Sequence, residues 1–86
     1  MRTPRQIDVH RAVLQALSNI PAGLLMTEAM LRNDAARMIL PRPTTLEIDS
    51  EIRHADAIRR IAGIQTEEGT KFAITDAGRL WLETNP

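Results

Sequence analysis

The chain has 86 residues, no cysteine, 43% hydrophobic residues, and 11 basic against 11 acidic side chains. One domain over residues 1–86 is expected, because this length is enough for a single core. The lack of cysteine excludes disulfides and thiolate chemistry, and zero net charge removes the strong positive field of most nucleic-acid binders. No apolar stretch approaches the about 18 residues of a membrane helix, and no signal peptide is recognisable, so a soluble cytoplasmic protein is expected.

The first predicted element is a helix that begins at the N-cap Thr3, with Gln6 completing a capping box and a proline at the first helical position. Apolar residues at three- and four-residue spacing carry this helix to about residue 19. His10 lies on or beside the apolar stripe. A partly buried histidine is the simpler interpretation, because His54 is its only fellow and two distant histidines do not make a metal site.

A short apolar run, Leu24 to Met26, follows the first helix. It can pair as a brief third strand with a later hairpin, or it can lead into the next helix as buried chain. Thr27 is the predicted N-cap of a second helix that reaches about residue 39. The proline-rich segment after that helix ends it, and a proline on each side should hold Arg42 extended and exposed.

A second capping box, Thr44 with Glu47, starts the third predicted helix, which extends from about residue 45 to 61. Gly63 is expected to end it. At about 100° per residue, its positions separate into two faces. The apolar face holds Ile48, Ile52, Ala55, Ile58 and Ala62. The opposite face holds Asp49, Ser50, Arg53, His54, Asp56, Ala57 and Arg60.

Beyond Gly63 the spacing of the apolar residues changes to two, on both sides of the polar segment Glu67–Thr70. This pattern predicts a β-hairpin over about residues 63–74, in which Gly69 supplies the positive φ of the loop. Thr75 is the predicted N-cap of a short final helix. One buried cluster is expected to unite the elements: Leu14, Leu17, Leu31, Ile48, Ile52, Ile58, Ile64, Phe72, Ile74 and Leu80.

This order of elements resembles the winged helix-turn-helix family, an α+β fold with a three-helix core, a C-terminal hairpin wing and a short final helix. The resemblance covers nearly the whole chain and is carried by the third helix running into Gly63, by Gly69, and by the ending I-T-x-x-G-x-x-x-L. The final hydrophobe of that ending is Leu80 or Leu82. The long, proline-rich turn before the third helix departs from the family. The resemblance implies double-stranded DNA as the partner and the third helix as the reader.

The residues that the resemblance makes candidates for DNA contact are Arg42, Thr44, Thr45, Ser50, Arg53, His54, Arg60 and Lys71. Arg53 and Arg60 stand two turns apart on the predicted face, so that both can reach into a groove. Arginine to guanine is the commonest specific base contact, and a helix N-terminus can hold a phosphate. The resemblance therefore implies a transcriptional-regulator-like reader of DNA.

A protein–protein interaction or assembly module is the alternative. Asp49 precedes Arg53 by four residues and Asp56 precedes Arg60 by four, which is the spacing of salt bridges on a solvated helix face. Glu67 and Glu68, at the tip of the hairpin, would both repel a phosphate backbone. These features favour a partner other than DNA.

Catalysis is not expected from this sequence. No catalytic triad, glycine-rich phosphate loop or pair of carboxylates in an apolar setting can be recognised, and no cofactor or metal is predicted. The final helix is short, which predicts a monomer in isolation.

Overall fold

Helices form one part of the structure and an antiparallel sheet the other, in a computed structural model that describes residues 1–21 and 23–86. The helices are α1 (Pro4–Ser18), α2 (Glu28–Ala36), α3 (Thr45–Ala57) and α4 (Asp76–Thr84). The strands are β1 (Met26–Thr27), β2 (Ile61–Thr66) and β3 (Gly69–Ile74), paired in the order β1-β3-β2. The α+β class is therefore confirmed. Among the described residues no helix is both long enough and apolar enough to cross a membrane.

Each helix in the described part of the chain begins after a threonine whose hydroxyl accepts a backbone N–H from the first turn. These N-caps are Thr3, Thr27, Thr44 and Thr75. Thr3 and Thr44 form the capping boxes predicted from the sequence, with Gln6 and Glu47. Each cap of this kind contributes about 1 kcal/mol to the stability of its helix. Because the hydrogen bond joins residues close in sequence, the start of each helix is set locally.

The short apolar run before α2 forms a strand at its end. Met26 pairs with Phe72 and Thr27 with Lys71, so the first of the two alternatives for this run is correct. On the other side of β3, β2 pairs with it to form the hairpin. Thr66 pairs with Gly69, so the loop contains only Glu67 and Glu68. The predicted hairpin is confirmed, although β2 begins two residues earlier than expected.

The end of α3 differs from the prediction. The helix stops at Ala57, and Arg59 adopts a left-handed φ of 64°. The Arg60 N–H donates to the Ala55 carbonyl at 2.9 Å, and the Arg59 N–H donates to the Asp56 carbonyl at 3.1 Å. These two bonds define a Schellman motif, which normally places glycine at the left-handed position. Because Arg59 and not a glycine occupies the left-handed position, the sequence pattern predicted the end of α3 at Gly63.

The buried core contains six of the ten residues that the sequence assigned to it: Leu14, Leu17, Leu31, Ile48, Ile52 and Phe72. Ile74 packs against this core half-buried. The assignments of Ile58, Ile64 and Leu80 to the core are wrong, since these side chains are 40%, 42% and 61% exposed. The early end of α3 removes Ile58 from the helical face.

The strand register explains the other exposed residues. Ile61 fills the core position at 0% exposure, and strand alternation then turns Ile64 to the opposite side of the sheet. On α4, Trp81 and Leu82 pack against the core while Leu80 points outward.

Gly78 allows the first turn of α4 to approach the turn between α3 and β2. A Cβ at this position would overlap the carbonyl oxygen of Arg60 and would lie 2.8 Å from Ile74 Cγ1. The Thr75 N–H donates to the same Arg60 carbonyl at 3.1 Å, and its hydroxyl donates to the Arg59 carbonyl at 2.6 Å. The glycine of the I-T-x-x-G segment is therefore needed for close backbone packing.

Candidate functional site

The outer face of α3 is the solvent-exposed side opposite the core. It consists of Thr45, Leu46, Ser50, Arg53 and Ala57. Leu46 is 73% exposed and is the large apolar side chain of this otherwise polar surface. Arg53 forms no ion pair with any residue that the structure describes. This face therefore presents one cation beside exposed apolar surface.

The acidic residues beside the outer face have partners different from those predicted. Asp49 Oδ1 accepts a hydrogen bond from Arg32 Nε at 2.9 Å and does not pair with Arg53. Asp56 Oδ1 accepts the backbone N–H of Gly63 at 3.3 Å. Both expected pairs at four-residue spacing are thus wrong, because α2 and β2 supply nearer donors.

A shallow groove of about 200 Å³ separates α3 from the sheet. Its lining comprises Glu28, Asp49, Ile52, Arg53, Asp56, Thr70 and Phe72. Three of these side chains are carboxylates and two are apolar. Arg32 pairs with Glu28 at 3.0 Å and with Asp49 at 2.9 Å, so Asp56 is the carboxylate of the groove without an ion pair among the described residues. The groove therefore suits a single cationic group, carried on an apolar stem and directed at Asp56.

The tip of the hairpin is acidic. Glu67 and Glu68 form its two-residue loop and are exposed. Lys71 Nζ lies 3.4 Å from Glu68 Oε1, so the one basic side chain of the hairpin already has an acidic neighbour. A phosphate backbone approaching this tip would meet negative charge first.

The N-terminus of α3 already holds a carboxylate. Glu47 Oε1 accepts the Thr44 N–H at 3.1 Å, and Thr44 Oγ1 accepts the Glu47 N–H at 3.1 Å. Arg5 Nε also donates to Glu47 at 2.9 Å. Hydrogen bonds from Arg5, and then from the Thr44 N–H, lower the pKa of Glu47. A phosphate at this end would have to displace that carboxylate, although Arg42 and Thr45 remain exposed nearby in sequence.

The inner cluster is a group of polar and aromatic side chains between α1, α3 and α4. It consists of Arg2, His10, Glu51, His54, Arg60 and Trp81. Glu51 and His10 are buried, at 3% and 2% exposure. Arg2 Nη2 contacts Glu51 Oε1, which supplies the buried carboxylate with a counter-charge.

The hydrogen bonds of His10 define its tautomer. Arg60 Nη1 lies 3.1 Å from His10 Nε2, and a guanidinium can only donate, so Nε2 accepts. The proton is then on Nδ1, which lies 3.4 Å from Glu51 Oε1. Burial, followed by the charges of Arg60, Arg2 and His54, lowers the pKa of His10 from 6.5 to about 4. His10 is therefore neutral at pH 7 and lies between Arg60 and Glu51.

Two candidate DNA contacts belong to this inner cluster. Arg60 lies outside α3, with its Cζ 5.0 Å from the centre of the Trp81 ring, in a cation–π arrangement. The half-buried His54 ring lies 5.6 Å from that of His10, and burial, then Arg2 and Arg60, lowers its pKa. The structure thus separates Arg60 and His54 from Arg53, with which the sequence grouped them.

Sequence reasoning missed the inner cluster, although part of the signal was present. Glu51 follows Ile48 by three residues and precedes Ala55 by four, so helical spacing places it on the buried side of α3. The contact of Arg2 with Glu51 has no comparable local signal, because these residues are far apart in the sequence.

Comparisons of this chain with protein-family models, with curated proteins and with solved structures find no match. The geometry and charge of the outer face of α3 and of the hairpin are therefore the basis on which a function can be proposed.

Proposed function

We propose that this chain is a winged-helix-like interaction module that binds a protein through the outer face of α3 and the hairpin. The order of the elements and the β1-β3-β2 sheet support the winged-helix arrangement. The observation that carries the proposal is the composition of this surface. It combines Arg53, a cation without an ion pair among the described residues, with the exposed Leu46, the groove that contains Asp56, and the acidic tip Glu67–Glu68.

The charge pattern favours a protein over DNA for a physical reason. Affinity for DNA comes largely from several cations that each neutralise a phosphate. Of the four basic side chains among the candidate contacts, Arg60 is held in the inner cluster and Lys71 lies beside Glu68. Arg42 and Arg53 alone remain exposed without an ion pair among the described residues.

The partner that fits this surface presents basic side chains next to apolar ones. Asp56 is the carboxylate of the groove without an ion pair among the described residues, and Leu46 offers apolar area at the other end of α3. Such an interface gains affinity from the apolar contact and orientation from the charges.

NMR titration with model probes tests the proposal. We expect a peptide of alternating lysine and leucine to shift the backbone signals of Arg53, Asp56 and Thr70, and a peptide of alternating glutamate and leucine to leave them unchanged. Asp56→Asn should weaken binding of the basic peptide, since it removes charge but keeps the oxygen that accepts the Gly63 N–H. Glu83→Gln, on the exposed C-terminal part of α4, is the matched control and should bind normally.

DNA binding is the second candidate, favoured by the exposed positions of Arg42 and Arg53. With so few free cations, non-specific affinity should be about 10⁻⁴ M or weaker at physiological salt. If DNA is the ligand, Arg53→Ala should reduce affinity, and replacing Asp49 and Asp56 by Asn should increase it. Shifts of the outer face with mixed-sequence duplex DNA at about 20 mM salt, lost on adding salt, would contradict the protein-binding proposal.

A further inference from the structure

One edge of β2 has no strand neighbour among the residues that the structure describes. In the described part of the chain β2 pairs only with β3. The Gly63 N–H donates to Asp56 Oδ1, so the backbone groups of this residue point away from β3. Because these directions alternate along an antiparallel strand, Ile61 and Gln65 also direct their N–H and C=O groups outward. The outer edge therefore offers a row of hydrogen-bonding groups.

The edge lacks the usual protection against pairing. Proteins block such edges with charged residues, proline or bulges, and β2, with the sequence IAGIQT, contains neither charge nor proline. Its register with β3 is continuous, without a bulge. An open groove of about 770 Å³ borders Ile61, Ala62 and Gly63, so a second strand has room beside this end of β2. The side chain of Asp56, which is exposed, is the one group bonded to the edge among the described residues.

The charges at the two ends of β2 are opposite. Arg59-Arg60 immediately precedes the strand and the acidic tip Glu67-Glu68 immediately follows it. Arg60 is held in the inner cluster, but Arg59 is exposed and has no ion pair among the described residues. Two such strands in antiparallel arrangement bring each basic end to the acidic end of the other, whereas a parallel arrangement opposes like charges.

We propose that two copies of this chain associate through antiparallel pairing of their β2 edges, joining the three strands of each copy into one sheet. The outward backbone groups of Ile61, Gly63 and Gln65 then bond to those of the other copy, and the Gly63 N–H exchanges the Asp56 carboxylate for a backbone carbonyl. Arg59 lies beside the acidic tip of the other copy. The pairing is self-complementary, as a two-fold interface requires, and it shares the acidic tip and Asp56 with the surface proposed to bind a protein.

The concentration dependence of the mass is the first test. A six-residue strand buries little area, so the dissociation constant should be on the order of 10⁻⁵–10⁻⁴ M. In sedimentation velocity, the mass should rise from 9.6 kDa toward twice that value as concentration increases from about 10 μM to about 1 mM. A monomer at every concentration overturns the proposal.

Charge exchange tests the antiparallel arrangement. Arg59→Glu alone, and Glu67→Arg with Glu68→Arg, should each raise the dissociation constant at least about tenfold, because like charges then face each other. The triple variant restores opposite charges and should return near the wild-type value. Arg79→Glu, a charge reversal at an exposed arginine of α4, is the control and should not change dimerisation. Failure of the triple variant to recover affinity overturns the antiparallel pairing.

The backbone edge is tested separately. Gln65→Pro removes an outward N–H that the monomer does not use, and proline is tolerated at such edge positions. The variant should stay monomeric at about 1 mM while keeping its backbone NMR spectrum. In the wild type, hydrogen exchange of the Gln65 amide should slow with rising protein concentration. Unchanged dimerisation of Gln65→Pro, or exchange at Gln65 independent of concentration, overturns the edge as the interface.

Discussion

On the inner side of α3, Glu51 is 3% exposed, and its carboxylate contacts Arg2 and lies near His10. On the outer side, Arg53 extends into solvent without an ion pair among the described residues. The difference follows from desolvation. A buried charge costs several kcal/mol unless it is paired, whereas an exposed charge is solvated by water and costs little when it is unpaired.

The charged side chains on the two sides of α3 therefore have different roles. Arg53 and Arg60 look equivalent in the sequence, but Arg60 contributes to the inner cluster and Arg53 remains available to a partner. Substitutions on the inner side should therefore change stability, and those on the outer side should change binding alone.

The largest effect is expected for Phe72→Ala, which tests the core packing that supports both the inner and the outer side of α3. Phe72 is 6% exposed, pairs with Met26 in the sheet and lines the groove beside the outer face. Its truncation should lower the free energy of unfolding by about 3–5 kcal/mol in urea titrations. Ile64→Ala, on the exposed side of the same hairpin, is the control and should cost less than about 1 kcal/mol. A similar small loss for Phe72→Ala would mean that the sheet faces are reversed.

The inner cluster should make stability depend on pH. The pKa of His10 falls from 6.5 to about 4 on folding, so the folded state prefers the neutral form. Its contribution is complete above about pH 6.5 and is lost as the pH falls toward 4, up to on the order of 3 kcal/mol. The lowered pKa of His54 acts in the same direction. The free energy of unfolding, measured in urea at pH 7, 5.5 and 4, tests this effect. In His10→Gln this free energy should depend less steeply on pH.

Removing the counter-charge of Glu51 should cost about 1–3 kcal/mol, less than for a fully buried pair because Arg2 is partly exposed. Arg2→Ala leaves the Glu51 carboxylate buried near the neutral His10. The double variant Arg2→Ala with Glu51→Gln removes the unpaired charge and should recover part of the loss. Equal stability of the wild type and Arg2→Ala in urea titrations would show that the contact contributes nothing.

The smallest effect compares the two arginines directly. Arg60→Ala removes the donor to His10 Nε2 and the contact with Trp81, and should cost about 1–2 kcal/mol. Arg53→Ala should change the free energy of unfolding by no more than about 0.5 kcal/mol, while weakening whichever partner binds the outer face. Thermal unfolding of both variants checks this, and equal costs would break the distinction between the two sides.

Local sequence patterns were sufficient to predict the helix starts, the hairpin and the α+β class. Thr3 and Thr44 with their capping boxes, and the change to period two before Phe72, are local signals. Each depends on hydrogen bonds or side-chain alternation within a few residues, so no knowledge of the packing was needed.

Packing between distant segments sets where α3 ends and which of its charged side chains are available to a partner. The left-handed Arg59, whose carbonyl accepts the Thr75 hydroxyl, ends the helix. Arg32 pairs with Asp49 in place of the predicted Arg53, and α1 with the residues before it brings His10 and Arg2 to Glu51. These outcomes depend on contacts between residues far apart in the sequence. Local spacing cannot predict them, because a charged side chain takes the nearest partner that the packed elements supply, and burial decides whether it needs one.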